Sequence, residues 1–144
     1  MQDVSTFRLY LMRALYLLIF AGQGILQWPQ IAHGGMLSFW HGVGSSMLLA
    51  MALICVLGVR YPLQMLPVLL FELLWKLIWC LAIALPQWSS GEMNPDVRES
   101  APSILFGVII VPIIIPWRYA FARYVRQAAD RWLPRAASTR AETN

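Results

Sequence analysis

Apolar residues run through this chain in four long stretches separated by short polar ones: Leu9 to Trp28, Phe39 to Val59, Leu63 to Trp88, and Ser103 to about Trp117. Each is close to the ~20 residues a helix needs to cross a ~30 Å hydrocarbon core. The pattern predicts an all-α, integral membrane four-helix up-down bundle over residues 1–117. The fourth stretch carries Pro112 and Pro116, and each ring removes a backbone donor, so this span is expected to kink or end early. Beyond it, Phe121, Val125, Ala128 and Trp132 share one helical face, with Arg123, Arg126 and Asp130 opposite. That spacing predicts a C-terminal amphipathic extension over residues 118–134, lying on the inner leaflet. The small polar residues 135–144 predict a disordered tail.

The connections set an orientation. "QWPQIAHGG" has no Lys or Arg, "GVRYPL" holds Arg60, and "PQWSSGEMNPDVRESAP" holds Arg98 against Glu92, Asp96 and Glu99. Arg8, Arg13, Arg60 and six tail arginines, nine in all, fall on one side against Arg98 on the other. By the positive-inside rule both termini are cytoplasmic, which an even number of spans allows. Trp28, Trp40 and Trp88 then mark the outer interface and Trp117 the inner one, where indole rings prefer to sit. The expected setting is a bacterial inner membrane, with an uncleaved first span.

Polar residues within the apolar runs are the candidates for chemistry. In "LLFELLWKLIWC" (residues 69–80), Glu72 and Lys76 stand one turn apart with Trp75 and Trp79 beside them. At ~1.5 Å per residue, Lys76 lies roughly 18 Å beyond Gln64, near the bilayer midplane. Helical side chains lean toward the N-terminus, so Lys76 leans toward Glu72, and Glu four residues before Lys is the favourable order for an ion pair. A lipid-facing Lys at that depth costs about 2.5–3.5 kcal/mol, so the pair is expected to face the bundle interior or an aqueous cavity. On the first span Arg13, Tyr16, Phe20, Gln23 and Gln27 fall within about 80° of one another at ~100° per residue. If the first and third spans are neighbours, Arg13 and Tyr16 reach Glu72, and Gln23 reaches Lys76. On the second span Gly42, Ser46 and Ala50 recur every four residues, a spacing that lets backbones approach, and His41 and Ser45 stand at its outer, interfacial end.

Composition agrees with this frame and narrows the chemistry. The chain has 144 residues, 59% hydrophobic and only 12% charged, where soluble domains carry about 25% charged residues. Six of its eleven basic residues, Arg118, Arg123 and Arg126 among them, lie in the last 27 positions. A basic cluster next to a span favours anionic membrane lipid and not nucleic acid. Cys55 and Cys80 are isolated in apolar surroundings and form no CxxC, so they read as small buried hydrophobes. His33 and His41 lack a third ligand, so no metal or other cofactor is expected. There is no phosphate loop, zincin helix or serine elbow, and no catalytic residue is assigned.

The four short spans, with the compact turn "LICVLGVRYPLQMLP" between the second and third, resemble the DoxX-like group of small bacterial membrane proteins. That resemblance implies an up-down bundle and accessory work in a membrane complex, and it carries over no catalytic residue. The residues themselves allow three roles for the Glu72–Lys76 region. It is a structural network fixing which helices pack, a pocket for a lipophilic ligand such as a quinone or lipid or for another membrane protein's span, or the centre of an ion- or proton-coupled transporter working as a homodimer. Small multidrug transporters are similar in size and span number, but their essential glutamate is in the first span, where this chain has glutamines. The reading adopted from sequence is a non-enzymatic binding or accessory subunit.

Overall fold

The computed structural model describes residues 4–33 and 38–127. Among these every regular element is helical: α1 (Thr6–Ala32), α2 (Phe39–Arg60), α3 (Leu66–Trp79), α4 (Leu85–Ser90), α5 (Pro95–Ile114) and α6 (Trp117–Phe121). A π-helical turn, Cys80–Ala84, joins α3 to α4 into one rod of 25 residues, Leu66–Ser90. With α1, α2 and α5 this makes four helices long and apolar enough to cross a membrane.

Local chemistry explains most of the ends. Ser5 caps α1 by accepting the Arg8 N–H at 3.4 Å. Tyr61 and Pro62 stop α2, and Pro67 lies in the first turn of α3, where its missing N–H costs nothing. Gly91, at φ 76°, closes α4 in the left-handed conformation that glycine adopts without a Cβ penalty. Asn94 then caps α5 by accepting the Asp96 N–H at 2.9 Å.

Two boundaries differ from the sequence reading. The fourth membrane-length helix begins at Pro95, not near Ser103, because the Asn94 cap and Pro95 start a helix in the polar connection itself. It also passes through Pro112 and ends at Ile114. Ile115 turns extended (φ −58°, ψ 127°) because the ring of Pro116 disfavours helical geometry in the residue before it. Over 118–127, the described part of the expected extension over 118–134, there is one short helix, α6, then a π-helical turn over Ala122–Arg126 that leads to an extended Gln127. Ala128, Asp130, Trp132 and the 135–144 tail lie outside the described residues.

α1 packs chiefly on α2 and α3 on α5, with lighter α1–α5 and α2–α3 seams. The core is concentrated at one end. It takes Met12, Leu15, Tyr16 and Ile19 from the first half of α1, Met51 and Cys55 from the second half of α2, Leu66, Leu69 and Leu73 from α3, and Val111 and Ile115 at the end of α5. At the opposite end Trp28, Trp40 and Trp88 are 66%, 79% and 73% exposed. Large apolar side chains also cover the outside along every long helix, an arrangement suited to a hydrocarbon surround.

The stripe Gly42, Ser46, Ala50 does not mediate close packing within the chain. A Cβ built on Gly42 meets nothing within 4 Å, and Ser46 and Ala50 are exposed. The tight approaches occur at Gly58, where a Cβ would strike the Tyr16 ring, and at Gly107, where it would strike the Lys76 side chain.

Candidate functional site: a buried ion pair on the wall of an inter-helix cleft

α3 places Glu72 and Lys76 on its inward face, and both are buried. The pair forms as the spacing predicted, with Lys76 Nζ 2.6 Å from Glu72 Oε1. Trp75 completes it: its indole Nε1–H donates to Glu72 Oε2 at 2.6 Å, and the Lys76 ammonium stands 5.4 Å from the centre of the Trp75 ring. Both carboxylate oxygens therefore have a partner on the same helix. Such charge-assisted bonds are what let a carboxylate, here 1% exposed, stay buried.

The other helices provide room more than partners. Lys76 lies against Gly107 of α5, which is buried. Any side chain there would occupy the space the ammonium and its stem fill. The sequence reading did not single out Gly107. A lone glycine inside an apolar span at the depth of a buried lysine is the signal that finds it, since such glycines mark close approach to a backbone.

The first span's polar stripe does not join the ion pair as expected. Tyr16 is fully buried, but its hydroxyl donates to the Pro62 carbonyl at 3.0 Å, in the α2–α3 turn. Pro62 O is freed for this because the chain leaves helical geometry at Tyr61. Arg13 stays half-buried with its guanidinium 5.3 Å from the Tyr10 ring, and it makes no ion pair among the described residues. Gln23 accepts from Gln27 Nε2 at 3.3 Å, so its carbonyl is engaged along α1 and not by Lys76. Gln23 nevertheless shares a cleft with the pair.

That cleft lies between α1, α3 and α5 and has a volume of about 510 Å³. α3 contributes Glu72, Trp75 and Lys76, α1 contributes Leu15, Ile19, Gly22 and Gln23, and α5 contributes Ser103, Phe106, Gly107 and Ile110. Leu18 and Leu26 of α1 and Phe106 of α5 form an apolar rim, each more than half exposed. Such a cleft is open to whatever surrounds the bundle. An apolar lining with a few convergent polar groups is the usual make-up of a small-molecule site.

Trp79 is not part of it. It faces a separate hollow of about 310 Å³ between the π turn, α4 and the start of α5, with Cys80, Leu85, Trp88 and Met93. Toward the same end of the bundle, buried Ser45 donates to Gln30 at 3.2 Å and ties α2 to α1. Exposed His41 pairs through Nδ1 with Ser38 at 2.8 Å. At the other end Arg118 and Arg126 line a hollow with Trp117 and Phe121, whereas Arg123 turns away to donate to Gln127 at 2.6 Å. No protein-family model, curated protein or solved structure matches the chain.

Proposed function

We propose that this protein is a small multi-pass membrane protein of non-enzymatic, binding or accessory function, holding an amphipathic lipophile such as a quinone or a lipid in the α1–α3–α5 cleft. The single observation that carries the reading is the placement of a satisfied ion pair on the wall of a laterally open apolar cleft. A purely structural pair gains nothing from an adjoining volume of about 510 Å³, because close packing is what gives buried groups their dispersion contacts. In this reading the exposed apolar surface faces lipid in a bacterial inner membrane, both termini are cytoplasmic, and Arg118 and Arg126 lie at the inner headgroup level. An accessory role in a membrane complex, as in the DoxX-like proteins the layout resembles, is compatible with this binding function.

Gly22 provides the test, because it lines the cleft and a Cβ there meets nothing within 4 Å. Gly22→Leu fills the site from an uncrowded position. The full chain, purified in mild detergent, is expected to retain a lipophile detectable by mass spectrometry, and Gly22→Leu is expected to lose it with an unchanged Tm. A wild-type protein that retains none would sink the proposal. A pH-dependent flux in liposomes, abolished by Glu72→Gln, would replace it with the transporter reading.

A further inference from the structure

The polar groups of the cleft differ in what they have left to offer. Both Glu72 oxygens are engaged, one by Lys76 and one by Trp75, and the residue is almost wholly enclosed. The Lys76 ammonium has three hydrogens, and among the described residues its only hydrogen-bonding partner is Glu72. Gln23 uses its carbonyl to accept from Gln27, which leaves its own amide N–H groups without a partner among the described residues. At this level of the cleft the groups left over are therefore donors. The acceptor belongs to Ser103, on the exposed side of α5, whose hydroxyl donates to the Ser100 carbonyl and leaves its oxygen lone pairs available.

Charge narrows the class further. Glu72 and Lys76 neutralise each other, so an anionic head would bring an uncompensated charge into an apolar site, which is strongly unfavourable. A neutral carbonyl needs no counter-charge and takes the spare hydrogens directly. The tail then leaves past Leu18, Leu26 and Phe106 at the exposed rim.

We infer that the cleft selects a neutral lipophile whose head only accepts hydrogen bonds, a quinone-type dicarbonyl ring in its oxidised form, over the quinol and over a fatty carboxylate. The inference rests on the binding role proposed above and adds its chemical selectivity. It concerns binding alone and includes no electron transfer. A quinol brings two hydroxyl hydrogens to a site whose carboxylate is enclosed at 1% exposure and whose one free acceptor, Ser103, can take only one of them, and a buried donor left without a partner weakens binding about tenfold or more.

Binding of decyl-benzoquinone, of the same compound held reduced without oxygen, and of decanoate is measured by equilibrium dialysis on the full chain in neutral detergent. The oxidised ring is expected to bind about tenfold more tightly than the reduced one, with decanoate weakest. Gln23→Met keeps the length of the side chain, removes the amide donors and adds no charge, so it is expected to shrink that preference several-fold while the helix content, read by circular dichroism, is retained. Equal or tighter binding of the quinol or decanoate, lost in Gly22→Leu, would overturn the selectivity and leave the pocket standing. Failure of all three probes to bind, or binding indifferent to Gly22→Leu, would overturn both.

Discussion

The rod Leu66–Ser90 is one continuous helical element whose two halves meet different fates. Its first half, α3, buries Leu66, Leu69, Glu72, Leu73 and Lys76, while the π turn and α4 bury nothing. In α3 the i, i+3, i+4 spacing of these residues builds one continuous inward face, and the two charged groups lie on it. In the second half the helix widens at Cys80–Ala84, where the Leu85 N–H reaches the Cys80 carbonyl, one residue before Pro86. The proline has no N–H and its ring crowds the preceding turn, so the wider turn accommodates it. One rod therefore holds a packed wall in its first half and a loose end in its second. The cost of burying charge is borne only in the packed half.

The largest expected effect breaks the packed half directly. Glu72→Gln leaves the Lys76 ammonium buried without its counter-ion, a change that typically costs about 3–5 kcal/mol. Thermal unfolding in detergent is expected to show a large loss, most of which Glu72→Gln/Lys76→Met restores. Equal instability of the double variant would mean that the pair does more than neutralise itself. Next comes Gly107→Ala, which sets a methyl group against the Lys76 stem and is expected to cost about 1–3 kcal/mol, the usual range for overpacking. The same substitution in a Lys76→Ala background is expected to be close to neutral, since contacting residues couple. An undiminished cost there would place the strain elsewhere. The smallest effect sharpens the contrast: Leu81→Ala, in the exposed π turn, is expected to shift stability by no more than about 0.5 kcal/mol. A loss comparable to that of a core leucine would mean that the outer half is packed against something in the folded state.

Much of the architecture was legible because its causes are local. The four apolar runs foretold four membrane-length helices within a few residues, except where the Asn94–Pro95 start lengthened the last one. The Glu72–Lys76 pair was legible for the same reason, since both partners sit on one helix and the lean of the side chains brings them together. Tyr16 and Arg13 were not. Nothing in the sequence marks the Pro62 carbonyl as an acceptor, and one carbonyl drew the Tyr16 hydroxyl away from the pair. Trp75 and Trp79 are equivalent in spacing, yet one bonds the carboxylate and the other faces a separate hollow.

The chain by itself thus determined its four long helices, the break at Pro116 and an ion pair within α3, because each follows from neighbours in sequence and from helical periodicity. Tertiary structure decided which helix receives that pair. In a helix apolar on nearly every side, polarity does not mark an inward face, and packing shape selects the partner instead. Here the selection falls on Gly107, where a missing side chain leaves room for the lysine beside the cleft.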